Sequence, residues 1–236
     1  VILVDYTGYM DDKDAIYTEM WNDYGVDSLH GYGDYDDSMI FGYAVGKVIE
    51  SFCNANVKKD SNIVVQAHEW QSGNAALYVK KHLPAAGTIF TTHATSTGRS
   101  IASNGKPLYD YFEGYNGDQM AAELNVQSKQ SVEKTTAHNV DCFTTVSEIT
   151  ARECKQLIER ECDVILENGF EKDFVPVGRA FTARRKKARK ARLRVAAALT
   201  GDTISDDAII IGIGGRMEMR NKGIDMFLET MARLNA

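Results

Sequence analysis

The sequence predicts an α/β protein built on a parallel sheet. Short β-branched or aromatic runs alternate with longer stretches of helical periodicity, which is typical of strands joined by helical crossovers. Within one such run, Thr88–Thr92, apolar residues follow one another without alternation, as expected of a strand buried on both faces. With 236 residues, 44% of them hydrophobic, the chain is long enough for one large domain or two small ones.

The expected elements follow a strand-helix order. The first strand is predicted at Val1–Val4, and a long polar loop is predicted from Asp5 to Asp37. Next come helix Ser38–Phe52, strand Asn62–Ala67, helix Gln71–His82, strand Thr88–Thr92, a loop-rich stretch Gly98–Gly117, helix Asp118–His138, strand Val140–Val146, a helix through Arg160 with Ser147 as N-cap, strand Asp163–Leu166, strand Ala208–Ile213 and helix Lys222–Leu234. Because the chain opens directly on a strand pattern, we expect it to be a piece of a longer protein.

A change of composition near Glu171 predicts two domains. The first, residues 1–172, is a nearly complete α/β domain that lacks its first elements. The second, residues 173–236, contains a basic linker helix and then the first strand and helix of another α/β domain. We expect a hinge near Asn168-Gly169, where an asparagine and a glycine favour a turn.

Composition also excludes some classes of function. A net charge of −6 argues against a dedicated nucleic-acid binder. The four cysteines show neither a CxxC pair nor a disulfide-framework spacing, which favours reduced thiols in the cytoplasm and argues against zinc. No apolar run approaches the roughly 18 residues that span a bilayer, so no membrane association is expected.

The run TIFTTHATSTGR, residues 88–99, ends a buried strand in hydroxyls, an imidazole and a guanidinium. In open α/β sheets ligands bind beyond the carboxyl ends of the strands, which is where His93 and Arg99 are expected. The alternative is a capped loop in which His93 bonds only to the backbone.

Two further strand ends carry polar side chains. Glu69 and Trp70 follow strand Asn62–Ala67, and a carboxylate beside an indole suits the hydroxyls and the apolar face of a sugar. Alternatively, Glu69 caps the next helix and Trp70 packs in the core. Asn168, after strand Asp163–Leu166, is a candidate ligand-binding residue, although turn chemistry explains it equally well.

The last predicted strand leads into Gly214-Gly215-Arg216, and Lys222 opens the helix that follows. Glycines let backbone amides approach a phosphate, and two cations beside a helix N-terminus favour a diphosphate. The pattern is neither a GxGxxG fingerprint nor a P-loop, so nicotinamide cofactors and P-loop chemistry are not expected. A surface basic pair beside a tight turn is the alternative.

Taken together, these runs resemble the glycogen synthases of glycosyltransferase family 3, the animal and fungal type. The resemblance is carried by HEWQSG at His68, IFTTHATSTGR at Ile89, the helix Ser131–His138, VDCFTTVSEIT at Val140, ILENGF at Ile165 and GGRMEMRNKGIDMFLETMARLN at Gly214. It implies the GT-B architecture, in which two Rossmann-like domains face each other across a cleft, and retaining transfer of glucose from UDP-glucose to the non-reducing end of an α-1,4-glucan.

By position, the resemblance assigns roles to seven residues. Arg99, Arg216 and Lys222 would contact the donor phosphates and stabilise the leaving UDP. His93 and Asn168 would orient the glucose, and Glu69 with Trp70 would line the sugar or acceptor side. These roles imply no metal and no cofactor, because arginine and lysine supply the positive charge.

The resemblance also has implications for binding partners and for the catalytic activity of the chain alone. Glycogen and UDP-glucose are the implied partners, and the family's eukaryotic members form tetramers and work with a self-glucosylating primer protein, which implies a homo-oligomer. The family's glycine-rich nucleotide loop and its essential C-terminal glutamate match nothing in residues 1–236, so we expect the chain alone to be inactive.

Three alternatives stay open. The first is a GT-B-like protein that binds glucans or nucleotide sugars without catalysis, and the second is a synthase with another donor. The third concerns the basic stretch FTARRKKARKARLRVAAAL, which would suit nucleic acid, an acidic partner or an anionic effector, or would form a plain solvated helix. Its basic residues are Arg184, Arg185, Lys186, Lys187, Arg189, Lys190, Arg192 and Arg194.

Overall fold

The structure, a computed structural model, describes residues 1–58 and 60–235. It divides into two compact units, residues 1–167 and residues 168–236. Within the described residues, no helix is both long enough and apolar enough to cross a lipid bilayer. All four cysteines are free thiols, as their spacing predicted.

The first unit is built on a parallel four-stranded sheet in the order β1-β2-β3-β4. Its strands are β1 (Val64–His68), β2 (Gly87–Thr92), β3 (Cys142–Thr145) and β4 (Val164–Ile165). Parallel neighbours need crossover connections, and helices lie between consecutive strands. The predicted α/β class with a parallel sheet is therefore confirmed.

Phenylalanines on the two central strands form the centre of the core. Phe90 lies opposite Phe143 in the register of β2 and β3, both side chains are fully buried, and their ring centroids are 6.0 Å apart. Ala67 of β1 and Ala137 pack in the same cluster. Phe90 and Thr91 point to opposite faces of β2 and both are buried, so this strand is covered on both faces, as its run without alternation predicted.

Seven α-helices are present in the described part of the first unit. They are α1 (Lys13–Tyr24), α2 (Tyr35–Asn56), α3 (Trp70–His82), α4 (Ser96–Ser103), α5 (Gly117–Glu123), α6 (Gln127–Asn139) and α7 (Glu148–Leu157). The predicted helices corresponding to α2, α3 and α7 are confirmed within a few residues. Ser147 is the predicted N-cap, since its side chain accepts a hydrogen bond from the Thr150 amide.

The amino-terminal region differs from its prediction. Val1–Val4 pairs with no strand among the described residues and is largely exposed. The stretch 5–37, predicted as a loop, contains a 3₁₀ helix at Thr7–Asp12 and helix α1. Ile16 and Met20 are four residues apart and both buried, so a narrow apolar stripe is enough to hold α1 against the core despite its polar composition.

The middle region also differs. Helix α4 lies at the start of a stretch predicted to be loop-rich. The long helix predicted over residues 118–138 is divided into α5 and α6, with Asn125 between them in the left-handed region at φ 56°. Asparagine tolerates this conformation better than most residues, and it ends α5.

The second unit contains α8 (Gly178–Thr200) and α9 (Ile224–Leu234). Helix α8 carries the basic stretch and is exposed along most of its length, with Leu193 as its buried residue. The prediction of a strand at Ala208–Ile213 is wrong for this structure, where the stretch is irregular and Ile209 and Ile211 are exposed. A buried strand needs paired neighbours, and the described residues of this unit include no other strand.

Candidate functional site

The carboxyl ends of β1 and β2 bring together the predicted residues of the first unit. His68 of β1 lies opposite Thr91 of β2, so the residues that follow each strand become neighbours. His68 Nδ1 and His93 Nε2 are 3.0 Å apart, and the two imidazole rings are 5.3 Å apart between centroids. His93, which was predicted to follow a strand end, therefore lies where the carboxyl ends of β1 and β2 come together.

Glu69 joins this group through its carboxylate. Its Oε1 accepts a hydrogen bond from the backbone amide of His93 at 3.2 Å, and its own amide donates to Thr91 O at 2.9 Å. Burial raises the pKa of Glu69, while the positive charge of Arg99 acts in the opposite direction. Glu69 is therefore tied to the His93 loop, and the alternative in which its side chain caps α3 is not observed.

The backbone of Glu69 is strained. Its φ of 63° and ψ of 162° fall in a region that is populated almost only by glycine, at a cost of about 1–3 kcal/mol. Such conformations persist where the surroundings determine them, and they cluster at functional sites. The strain marks the end of β1 as a place where side-chain direction matters.

Trp70 is placed in the core. Only 7% of the residue is exposed, its ring stacks on Tyr35 with centroids 6.0 Å apart, and the Lys129 ammonium lies 5.0 Å from the ring centroid. The indole is therefore not an open platform for a sugar in this structure. Packing, the alternative that the sequence left open, accounts for its position.

Arg99 lies in the first turn of α4, the helix that follows β2. Thr95 is the N-cap of this helix: its Oγ1 accepts from the Gly98 amide at 3.1 Å, and its carbonyl accepts from the Arg99 amide at 3.0 Å. The Arg99 side chain is exposed. The first unit thus brings Arg99, Glu69 and His93 to one edge of the sheet, where an anionic or hydroxylated ligand has both donors and an acceptor available.

Sequence reasoning missed two buried carboxylates beneath this edge, Glu133 on α6 and Glu153 on α7. They are 0% and 7% exposed. Burial raises the pKa of Glu133 to about 7. A signal was present in the sequence, since Glu133 shares the buried helix face of Val132 and Thr136, where a carboxylate is unexpected.

The second unit brings Arg216 and Lys222 into one loop. Arg216 Nε is 2.9 Å from Glu218 Oε1, and the Lys222 amide donates to Glu218 O at 3.0 Å. A Cβ added at Gly215 would lie 3.5 Å from Lys222 Cγ, so the lysine stem runs beside the glycine turn. Both cationic side chains are exposed.

Asn168, the first residue of the second unit, is also exposed. Across the residues that the structure describes, no group of three or more His, Cys, Asp or Glu side chains is arranged to hold a metal ion. The nitrogen donors of Arg99, Arg216 and Lys222 are instead suited to anionic oxygen, as in phosphates and carboxylates.

The parallel sheet, with Glu69, His93 and Arg99 at its carboxyl edge, places the chain among the α/β proteins, whose open sheets generally bind ligands at that edge. The family model described as glycogen synthase matches residues 1–236, and the chain belongs to the glycogen synthase family. The family that the motifs predicted is confirmed.

Individual relatives agree with this assignment. Glycogen [starch] synthase of Neurospora crassa is 32% identical over 232 residues, covering 97% of this chain and 32% of the relative. Isoform 2 of Saccharomyces cerevisiae is 33% identical, covering 92% and 31%, and the liver protein of Rattus norvegicus is 32% identical, covering 100% and 34%. The chain thus spans about a third of the length of the curated relatives it matches.

Proposed function

We propose that this chain forms part of a retaining glucosyltransferase of GT-B architecture that moves glucose from UDP-glucose to the non-reducing end of an α-1,4-glucan. The observation that carries the proposal is the match of the whole chain to the glycogen synthase family. The contact of His93 and Glu69 at the carboxyl edge of the sheet supports it, because it is the place where such a sheet binds ligands.

In this reaction the bond between glucose C1 and the β-phosphate oxygen breaks, and a bond from C1 to a glucan hydroxyl forms on the same face. The hydroxyl proton passes to the departing phosphate. Negative charge grows on UDP as the first bond breaks, so fixed cations that contact the diphosphate lower the barrier. We assign this task to Arg99, Arg216 and Lys222.

The remaining site residues have a different task. His93 and Asn168 hydrogen-bond the glucose hydroxyls and hold C1 beside the acceptor hydroxyl, on the face that the departing phosphate leaves, since orientation alone supplies a large part of such rate enhancements. Glu69 accepts hydroxyl hydrogen bonds on the sugar or acceptor side. Trp70 supports this edge from below, through its contact with Tyr35.

The test is substitution of the two cations of the second unit in the protein that carries this chain. We expect Arg216→Ala combined with Lys222→Ala to lower glucosyl transfer from radiolabelled UDP-glucose to glycogen by about a hundredfold or more, because charge stabilisation of the leaving group is lost.

Arg233→Ala is the matched control. It removes one exposed arginine from α9 of the same unit, where Arg233 pairs with Glu229. We expect near-normal rates from this variant. Near-normal rates from the double variant would remove the diphosphate assignment.

A further inference from the structure

Two buried glutamates converge on the start of α4. Glu133 Oε2 accepts hydrogen bonds from the Ser96 amide at 2.9 Å and from Ser96 Oγ at 2.7 Å. Glu153 Oε2 accepts from Thr95 Oγ1 at 2.8 Å. Two different helices, α6 and α7, therefore hold consecutive residues of one turn.

Burying a carboxylate is costly unless it is well hydrogen-bonded, so two of them at one place call for an explanation. The amino end of a helix is the favourable place for negative charge, because its first amides lack partners within the helix. Here the Ser96 amide is one of those donors, and Glu133 accepts from it.

The packing of Gly98 shows how closely the turn is held. A Cβ at this position would lie 2.5 Å from Thr95 Oγ1 and 2.7 Å from Glu153 Oε2. Distances this short do not occur for real side chains without movement of a neighbour. The backbone between Thr95 and Arg99 therefore has little freedom to shift.

The outer oxygens of the two carboxylates differ. Glu153 Oε1 accepts from the Tyr109 hydroxyl at 2.6 Å. Glu133 Oε1 has no hydrogen-bond partner among the described residues. Both bonds from Ser96 end on Oε2, so an amide in place of the Glu133 carboxylate retains the oxygen that accepts them.

Arg99 lies three residues after Ser96 in this turn, and its amide donates to Thr95 O. We propose that Glu133 is a positioning residue for the transfer reaction, holding Ser96 and through it the backbone from which the Arg99 guanidinium reaches the donor diphosphate. This inference rests on the proposed function, which assigns Arg99 to the diphosphate. Glu153 supports the same turn from the other side through Thr95.

The experiment is a double-mutant cycle between Glu133→Ala and Arg99→Ala in the protein that carries this chain. Kinetic constants are measured separately for UDP-glucose and for glycogen. We expect Glu133→Ala to lower kcat/KM for UDP-glucose by between about tenfold and a hundredfold, the usual result of displacing a catalytic group, with KM for glycogen unchanged. In the Arg99→Ala background the same change should have no further effect.

Two further variants separate positioning from general stability. Glu133→Gln keeps the accepting oxygen and should restore kcat/KM to within about twofold of the unsubstituted protein. Asn74→Ala removes another fully buried side chain, one that donates to Met39 O at 2.7 Å and so joins α3 to α2. We expect it to leave kcat/KM for UDP-glucose unchanged.

The outcomes distinguish the two proposals. If Arg99→Ala leaves kcat/KM for UDP-glucose unchanged, the assignment of Arg99 to the diphosphate fails. If Arg99→Ala lowers it but Glu133→Ala does not, or the two losses multiply, the positioning role is overturned. An equal loss in Asn74→Ala would likewise overturn it, since loosening of the whole unit would then suffice.

Discussion

The two units of this chain hold their candidate site residues in opposite ways. In the first unit, Glu69 and His93 are hydrogen-bonded to each other, and Arg99 follows a turn that two buried glutamates hold. In the second unit, Arg216 and Lys222 are exposed on a loop, and Arg216 pairs with Glu218 at the surface. The difference teaches that a site built on a packed sheet has its geometry set by the core, whereas a site on an exposed loop depends on local turns.

The largest expected effect concerns the core that underlies this difference. We expect Phe90→Ala to lower the free energy of unfolding of the first unit by about 3–5 kcal/mol, because a fully buried ring leaves a cavity. Urea unfolding followed by tryptophan fluorescence measures it, since both tryptophans, Trp21 and Trp70, lie in this unit.

Phe174→Ala in the second unit is the control. Its side chain is 82% exposed, and we expect a change of at most about 0.5 kcal/mol. Comparable losses from the two substitutions would break the contrast between a packed and an exposed unit.

The next effect is a pH dependence of the free energy of unfolding, which arises from Glu133. Burial raises its pKa from 4.5 to about 7, and the charges of Glu69 and Glu153 act in the same direction. Between these two values the folded form holds a proton that the unfolded form releases, so the free energy of unfolding falls as pH rises. Across this whole pH range, the loss in the free energy of unfolding amounts to about 3 kcal/mol.

Glu133→Gln removes the titrating group and sharpens this measurement. We expect the difference in unfolding free energy between the unsubstituted protein and Glu133→Gln to change between pH 4.5 and 7 and to be constant above that range. A difference that is constant from pH 4 to 8 would show that Glu133 titrates normally and is not the strongly buried group seen here.

The smallest effect concerns the turn before Arg99. We expect Gly98→Ala to destabilise the first unit by about 1–3 kcal/mol, because the new methyl group would overlap Thr95 Oγ1 and Glu153 Oε2. Gly212→Ala, where an added Cβ meets no described atom within 4 Å, should be close to neutral. If both substitutions are neutral by fluorescence and circular dichroism, the turn is less tightly packed than its distances indicate.

Prediction from the sequence succeeded where local patterns and packing agree. The strand around Phe90, helix α3 and the Ser147 cap all have strong local signals, and each is observed. Prediction failed where a few tertiary contacts decide the secondary structure. Helix α1 depends on Ile16 and Met20, and the stretch Ala208–Ile213 has the composition of a strand but no partner strand within the described residues.

The same distinction applies to the candidate site. His93, Glu69 and Arg99 were predicted from the strand ends they follow, and the structure places them at one sheet edge. Trp70 shows the limit, because an indole after a strand suits either a sugar or a core, and only its stack on Tyr35 distinguishes the two. The roles of His93, Glu69, Arg99, Asn168, Arg216 and Lys222 all stay predictions, as do the boundary at residue 172 and the purpose of the basic helix α8.

By itself the sequence determined the α/β class, the glycogen synthase family and the strand ends that carry polar residues, because periodicity and motif spacing are local properties of the chain. Only the tertiary structure decided that Glu133 and Glu153 hold the turn before Arg99 and that Trp70 is buried. Those facts depend on which helices pack together across distances of tens of residues. A glutamate in a helix is written the same way in the sequence whether water or a protein core surrounds its side chain. Its pKa depends on those surroundings, which only the folded structure shows.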